Sequence, residues 1–483
     1  MIDDVLRGKF EDALGPGAVL HDPLELRTYE CDGLTGFREV PALVLLPSTT
    51  EEVAVAVSLC AAEGIPFVAR GAGTGLSGGA VPVARGVVIS LARMRRVLDF
   101  DAEDRRMVLQ PGVTNAEISQ LAAPCGLYYA PDPSSQIVCT IGGNVAENSG
   151  GAHCVKYGFT VHHVHALRVV LPDGSVVDLG GDTPGTAGPD LRGLFIGSEG
   201  TLGIATEITV RLLRIPESVR TLVADFPTVE QAGEAVSAIM AAGITPAAVE
   251  MLDALAIEAC EAAVGAGYSR DTAAALVVEL DGLEQECDEQ FERVVALCHE
   301  QGTTSVRIAS DPHERALIWK GRKAAFAAVG RISPDYLVQD GVVPRTRLAE
   351  ALTRIAAMGH EAGLRVANVF HAGDGNLHPL VLFDSRAGEA ERAEQLSKDI
   401  AEMCVELGGS LSGEHGIGLD KACSMPRMFG EDDLAAMRRV RAAFDPDQLA
   451  NPGKVLPTPR LCGERPGPYR PHPLETAGVI ERR

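Results

Sequence analysis

One stretch of this 483-residue chain, residues 131–151, constrains the fold more than any other. Pro131 and Pro133 lock φ and lack N–H groups, so its entry is a rigid turn, neither helix nor ladder. Two glycine pairs follow, Gly142 with Gly143 and Gly150 with Gly151. Ser134, Ser135, Thr140, Asn144, Asn148 and Ser149 are interleaved with them. Glycine lets backbone approach a ligand closely, and short hydroxyl and amide side chains supply donors and acceptors. Beyond Pro133 the only charge is Glu147, and Ile137, Val138, Ile141 and Val145 alternate with the polar residues. That mixture suits a buried, mostly uncharged polar surface wrapped around a large cofactor. An ordinary loop can share the composition, so its recurrence elsewhere decides between the two.

It recurs twice. Residues 42–46 read as a strand, and residues 47–62 as a helix whose start carries Thr49 and Glu52 as a capping box. Val53, Val57 and Cys60 form its apolar stripe, and residues 65–69 form the next strand. Directly after this β-α-β unit comes Arg70 with Gly71, Gly73, Thr74, Gly75, Ser77, Gly78 and Gly79. The spacing is not a dinucleotide fingerprint, because Leu76 stands where the third glycine belongs. No phosphate-loop lysine motif occurs either. What remains is a row of backbone N–H groups able to grip a diphosphate without a helix dipole. Residues 195–204 hold the third stretch, with Glu199, Gly203 and Ile204.

The formal net charge of −23 excludes non-specific binding to nucleic acid or anionic lipid. It leaves an anionic substrate open, since one Arg or metal can reverse the local field. Two acids open the N-terminus where a signal peptide needs cations, and no run of 18 apolar residues could span a membrane. The expected location is cytoplasmic, and peripheral at a membrane only through partners. The 11 cysteines are scattered without a C-x-x-C pair, so they read as reduced small hydrophobes, not as ligands of an iron–sulfur cluster.

Four segments follow on this basis: an N-terminal helix and lead-in over 1–37, a cofactor domain over 38–216, a second domain over 217–456 and a proline-rich arm over 457–483. In the first domain, residues 86–110 hold short strands of an antiparallel or mixed sheet, 114–124 a helix, and 164–179 a hairpin. From residue 217 amphipathic helices alternate with strands: strand 219–226, helix 228–242, strand 273–281, helix 284–302 and strand 303–309. That rhythm predicts a ferredoxin-like α/β unit, making the whole chain α+β. A helix over 312–329, a strand–loop–strand over 364–383 and helices over 388–407 and 431–444 complete it.

Two further groups in the second domain carry chemistry. His371 and His378 flank a Gly-Asp-Gly turn that lets their imidazoles converge, and Glu414 and His415 stand side by side among glycines. Two imidazoles and a carboxylate make a borderline-hard site suited to Zn²⁺, Mn²⁺ or Fe²⁺. Histidines satisfied within a core are the plain alternative. Arg322, on a predicted helix, is either a solvated charge or a two-pronged carboxylate ligand.

With all three glycine stretches in place, residues 30–456 resemble the FAD-linked oxidases, the superfamily that includes vanillyl-alcohol oxidase. Within it they look most like FAD-linked catalytic subunits of glycolate oxidases, which are D-2-hydroxyacid dehydrogenases. The resemblance rests on Arg70 to Ala80, Tyr128 to Asn148, Val329 to Tyr336, Val366 to His378, Ser412 to Gly418 and Asn451 to Lys454, among other runs. It implies a PCMH-type FAD-binding domain followed by a substrate-binding cap. Arg70, Gly71, Gly73, Thr74, Gly75 and Ser77 would then hold the diphosphate. Pro131, Ser135, Thr140, Gly143, Asn144 and Asn148 would line the flavin ring and ribityl chain. Glu199, Gly203 and Ile204 would meet the adenosine half, and Asn451 and Lys454 would return to the cofactor from the C-terminal side. Relatives with covalent flavin carry His where Thr74 stands, which implies non-covalent FAD.

The resemblance also makes His371, His378 and Glu414 the ligands of a divalent metal, Zn²⁺ first. His415 is then the general base, with a role as fourth ligand as the competing assignment. Arg322 would bind the substrate carboxylate, with Asn376 beside it. Ala324, Ala325 and Phe326 add no second cation, which favours a small monocarboxylate such as glycolate or D-lactate. D-2-hydroxyglutarate or another 2-hydroxy acid is the alternative substrate. A flavin-free metal hydrolase and a non-catalytic electron-transfer subunit are the alternatives of other classes. Without a cysteine cluster in the chain, the resemblance implies a separate iron–sulfur subunit and a second flavin-fold subunit as electron-transfer partners.

Overall fold

The computed structural model describes residues 2–457 apart from 184, 186 and 187. The proline-rich arm, with Cys462, lies outside the described residues after Pro457.

Apolar strands alternate with capped helices at the start of the chain, and they build a four-stranded sheet. Its order is Val19–Leu20, Leu43–Leu45, Val87–Ser90, Phe67–Arg70, with the last three parallel. The helix Thr50–Ala62 crosses over between two of them and buries Val53, Val57 and Cys60. Thr49 caps it as expected, accepting from the Glu52 N–H at 3.2 Å. The Glu52 carboxylate, however, reaches back to Ser48, accepting from its N–H at 2.7 Å and its hydroxyl at 2.9 Å, so the box is displaced by one residue. The helix Asp4–Leu14 lays Leu6, Phe10 and Leu14 on the same core. The lead-in is therefore packed into this domain.

A second, antiparallel sheet runs Val97–Asp101, Arg106–Leu109, Ile204–Arg211, Val164–Val170, Val176–Gly180. Its last two strands are the hairpin read from the turn at Pro172, Asp173 and Gly174. Inside the 131–151 stretch the structure adds a helix, Ile141–Glu147, that the proline and glycine content conceals. Thr140 caps it, and Gly142 lets it press on Pro111, where a Cβ would stand 2.5 Å from the Pro111 Cβ.

The second domain opens with the strand order Ser305–Ile308, Ser218–Phe226, Ala274–Gly282, Ala248–Asp253, all antiparallel. With the helices Val229–Ala241 and Glu284–Glu300 this is the ferredoxin-like arrangement, extended by Arg365–His371 and shorter strands into a nine-stranded sheet. Helices cover both faces. Val229–Ala241, Glu284–Glu300, Leu348–Ala362 and Ala390–Glu406 enclose one core around Phe226 and Phe370. Ala254–Ala263 and Pro312–Val329 enclose the other with Leu252, Val369 and Leu380.

Side chains alternate along a strand, so this layering decides which residues meet. Leu252 and Val369 face the second core, and therefore so do Glu250 and His371, two positions away on their strands. The helix that carries Arg322 lies on that same face. The chain finally returns to the first domain: Phe67 donates to the Leu449 carbonyl at 2.9 Å, and Asn451 donates to the Phe67 carbonyl at 2.8 Å.

Candidate active site

The cofactor side of the site is a narrow cleft between the first domain's loops. Arg70, Gly71, Thr140, Gly143, Gly203 and Ile204 line it, drawn from all three glycine stretches. Gly71 must be glycine, since a Cβ there would stand 2.5 Å from the Thr140 hydroxyl. Gly73 has φ +70°, a left-handed conformation, with the Arg70 guanidinium folded directly over it. Arg70 itself lies over the Tyr29 ring at 5.6 Å and donates to the Ala80 carbonyl at 3.3 Å. The Ser77 hydroxyl is buried with no partner among the described residues. The Ser198 hydroxyl, on the cleft wall, is likewise buried with no partner among the described residues, and a glycine-walled cleft with such a hydroxyl fits FAD.

Other residues expected at the cofactor also bond within the protein. Asn144 accepts from the Asn115 amide at 3.1 Å, and Asn115 also donates to the Pro131 carbonyl. Asn148 ends the helix Ile141–Glu147 with φ +52° and accepts from the Val161 N–H at 2.9 Å. Asn451 donates to the carbonyls of Gly79 at 2.9 Å and Glu199 at 2.6 Å. Lys454 donates to the carbonyls of Gly79 at 2.9 Å and Val81, and burial brings its ammonium down to about 7. Both hold the returning chain on the glycine loop. Thr74 and Gly75 face Gly33, where a Cβ would meet their carbonyls at 2.8 and 2.7 Å, and Ser135 is half-buried.

The second domain supplies the other wall. His371 ends one strand and His378 follows the turn, and their rings meet edge to face at 5.1 Å. Glu414 Oε1 lies 3.1 Å from His371 Nε2 and 3.1 Å from His378 Nε2. One donor atom from each of the three falls within 4.8 Å of the others, so His371, His378 and Glu414 fit a single divalent cation. Against the cost of burial, His371 and His378 hold the Glu414 carboxyl well below its ordinary range. His415 stacks on His378 at 5.0 Å and is brought down to about 4 by burial, so its imidazole is neutral at pH 7. Asp340, His378 and His415 form a second set of donor atoms within the same distance.

Two buried carboxylates organise this cluster, and neither was expected from the sequence. Glu250 stands opposite His371 in the antiparallel register. Its Oε1 lies 2.7 Å from His371 Nδ1 and its Oε2 2.5 Å from Arg322 Nη2. A carboxylate on Nδ1 fixes the imidazole so that Nε2 faces Glu414. Arg322 is only 2% exposed, and its Nε has no hydrogen-bond partner among the described residues. The solvated alternative for Arg322 is therefore excluded.

Asp340 is the second carboxylate. It accepts from the Ser412 hydroxyl at 2.5 Å and from the N–H groups of Gly413, Glu414 and His415 at 3.0, 3.2 and 2.9 Å. Lys421 lies 3.5 Å away. With its oxygens engaged by these donors, Asp340 is the anchor of the Glu414–His415 loop. Asn376 pairs with His371 across the turn, and its side-chain oxygen is buried without a partner among the described residues.

The two walls are bolted together. Gly150, from the 131–151 stretch, lies so close to Glu414 that a Cβ would stand 2.8 Å from Oε2. His153 sits 3.0 Å from Asp132 and 3.2 Å from Glu279. Burial opposes its charge, but these carboxylates raise it to about 10. Glu279 also accepts from Arg315 twice at 2.9 Å and from the Trp319 indole at 2.6 Å, while Lys323 reaches Asp132 at 3.2 Å. Arg315, Trp319 and Lys323 share the helix of Arg322, so this network seats that helix against the stretch.

A two-sheet domain with a glycine-walled cleft, packed against a ferredoxin-like domain bearing the His/Glu cluster, has the layout of an oxidoreductase of the FAD-linked type. The fold of p-cresol methylhydroxylase with substrate bound is similar, with a TM-score of 0.79 over 93% of this chain and 96% of that one at 18% identity. Sequence profiles agree: an FAD binding domain matches residues 41–180, and the C-terminal domain of FAD linked oxidases matches residues 215–455. The glycolate oxidase subunit GlcD of Escherichia coli K12 is 52% identical over 92% of this chain and 90% of its own length. A D-lactate dehydrogenase of Anaerostipes hadrus is 36% identical over 86% of this chain and 89% of its own. The chain belongs to the FAD-linked oxidases and, within them, to the family of glycolate oxidase subunit GlcD.

Proposed function

We propose that this protein oxidises a small D-2-hydroxy acid to the 2-oxo acid, with glycolate as first substrate and D-lactate as second. The observation that carries the substrate class is the end-to-end similarity to a glycolate oxidase subunit and a D-lactate dehydrogenase. FAD, held non-covalently by the cleft, supplies the hydride acceptor, and a divalent metal, Zn²⁺ before Mn²⁺ or Fe²⁺, supplies acidification of the substrate hydroxyl. His371, His378 and Glu414 would hold that metal, a choice supported by the engagement of Asp340 with the loop amides.

His415 takes the proton from the substrate hydroxyl onto a ring nitrogen. Its neutrality at pH 7 suits a base, and Asp340 fixes it through its own backbone N–H. Arg322 receives the substrate carboxylate; its buried Nε, without a partner among the described residues, is the donor this requires, while Glu250 orients the guanidinium. Asn376 supplies a further polar contact. Gly71, Gly73, Thr74, Gly75, Ser77 and Arg70 are assigned to the FAD diphosphate. Pro131, Ser135, Thr140, Gly143, Asn144 and Asn148 are assigned to the flavin and ribityl side, and Glu199, Gly203, Ile204, Asn451 and Lys454 to the adenosine side and its support. Electrons leave through partner subunits, an iron–sulfur protein and a second flavin-fold chain. No described helix is long and apolar enough to cross a membrane, and a cytoplasmic location accords with this reading.

Turnover with an artificial electron acceptor on glycolate, D-lactate, L-lactate and D-2-hydroxyglutarate tests the proposal. Glycolate or D-lactate should give the highest kcat/KM. Preference for D-2-hydroxyglutarate by tenfold or more would replace the small-monoacid assignment.

A further inference from the structure

The loop bearing Glu414 and His415 does not end within its own domain. Its second half is held by the FAD-binding domain. Ile417 and Gly418 donate their N–H groups to Glu199 Oε1 and Oε2, each at 2.7 Å. Leu419 and Asp420 donate to the Ser77 carbonyl at 2.9 and 3.1 Å. Glu199 is buried, and its backbone has φ +52°, a region L residues rarely occupy. That conformation is held from both sides: the Glu199 N–H donates to the Ala146 carbonyl at 2.8 Å, and its own carbonyl accepts from Asn451. Its chain neighbours Ser198 and Gly200 line the cofactor cleft, so one residue joins that cleft to the loop.

A second carboxylate lies beside it. A Cβ on Gly416 would stand 2.2 Å from Glu147 Oε2 and 2.8 Å from Glu199 Oε1, so both acids converge on the residue next to His415. Glu147 Oε2 is buried with no hydrogen-bond partner among the described residues. Two adjacent buried carboxylates do not both ionise. Because each Glu199 oxygen already accepts an N–H, the shared proton belongs on Glu147. Burial raises both carboxyls, but the Ile417 and Gly418 N–H groups hold Glu199 to about 7, while burial and the charge of Glu199 push Glu147 well above its ordinary range, in the same sense. Asp32 adds negative charge to this cluster, and Lys454 and Lys421 add positive charge.

We infer that Glu199 is a positioning residue for the reaction, holding the His415 loop against the FAD-binding domain, with Glu147 as its protonated partner. This rests on the assignment of His415 as the base. The Glu199 carboxylate then serves the loop, and adenosine contacts at this position fall to the backbone.

The full-length, FAD-loaded Glu199→Gln variant tests it, since an amide can accept only one of the two N–H groups. Three quantities are read: the FAD dissociation constant from flavin fluorescence, the anaerobic flavin reduction rate at saturating glycolate, and KM. The expected result is a reduction rate 10- to 100-fold lower, with FAD affinity and KM within about threefold of wild type, on the order of one to two lost hydrogen bonds to a charged acceptor. FAD binding weakened tenfold or more, with the rate unchanged at full occupancy, would make Glu199 a cofactor contact and overturn the inference. Where Glu199→Gln does not fold, Glu199→Asp carries the same comparison with a shortened carboxylate. The infrared carbonyl band of a buried, protonated carboxylic acid should be present at neutral pH and missing in Glu147→Gln. Its absence from the wild type would overturn the role given to Glu147. If His415→Gln reduces flavin at the wild-type rate, the base assignment itself fails. If His415→Gln is slow and Glu199→Gln is not, only this inference fails.

Discussion

Replacing Asp340 by Asn should release the loop that carries Glu414 and His415 without removing any group expected to touch substrate. In the folded protein the Asp340 carboxylate accepts three consecutive loop N–H groups and the Ser412 hydroxyl, and it faces the buried Lys421. Hydrogen bonds to a charged acceptor contribute roughly 1 kcal/mol more than neutral ones, so three weakened N–H bonds amount to about 3 kcal/mol. Leaving Lys421 without its counter-charge acts in the same direction, by an amount that keeps the total within about 3–5 kcal/mol. At about 1.4 kcal/mol per factor of ten, hydrogen-exchange protection of the 413–415 amides should fall by at least about 100-fold. Burial opposes ionisation of Asp340, but His415, Lys421 and His378 hold its carboxyl below the usual carboxylate range. A depressed carboxyl contributes stability above the ordinary carboxylate pKa and loses it as pH falls through the folded value. The full difference is therefore present at pH 7. Hydrogen exchange followed by mass spectrometry on wild type and Asp340→Asn measures it. Protection changed by less than threefold would refute the view that Asp340 holds this loop.

Four other outcomes follow from the same geometry. His415→Ala should lower the anaerobic flavin reduction rate by about 10²- to 10⁴-fold, the usual range for a general base, with FAD still bound; stopped-flow absorbance reads it. Because burial keeps His415 neutral down to about 4, kcat/KM should stay level as pH falls from 7 to 5, whereas an acid limb near the ordinary imidazole value of about 6.5 would contradict this. His371→Ala should remove tightly bound divalent metal, measured by elemental analysis, and Glu250→Gln should weaken metal binding by about 10- to 100-fold through loss of the negative charge on the Nδ1 partner. His153, raised to about 10 between Asp132 and Glu279, contributes stability that is complete below about pH 6.5 and lost as pH rises towards 10. Thermal melting should accordingly show a smaller wild-type advantage over His153→Ala at pH 10 than at pH 6.

Much of this was legible in the sequence. The β-α-β unit around Thr49, the hairpin at Pro172 and the helix Pro312–Val329 announce themselves through caps, turn residues and an apolar period. His371, His378, Glu414 and His415 could be picked out because imidazoles among glycines in an otherwise apolar domain have few structural uses. Glu250 was not legible. It lies on Ala248–Asp253, a short strand followed at once by the helix Ala254–Ala263, where alanine-rich sequence gives neither period clearly. Its role depends on cross-strand register with His371, which is 121 positions away in the chain. Asp340 was missed for a similar reason: its partners are backbone N–H groups more than 70 residues later, and backbone donors leave no signature in side-chain identity. Glu199 was placed in the right loop by its glycine neighbours, but only the folded chain shows that its carboxylate is turned to the amides of Ile417 and Gly418.

On the proposed function, a small 2-hydroxy acid reduces the bound flavin through the His371, His378, Glu414 and His415 cluster. The anaerobic visible spectrum of the purified protein tests it most directly, recorded with glycolate and then D-lactate, before and after removal of divalent metal by a chelator. Flavin bands that bleach with at least one acid, persist after chelation and bleach again once Zn²⁺ or Mn²⁺ is restored are the predicted result. Bands that bleach equally fast in the metal-stripped protein would contradict the role given to the cluster. Absence of flavin bands even after reconstitution with FAD would contradict the assignment of the glycine-walled cleft to FAD.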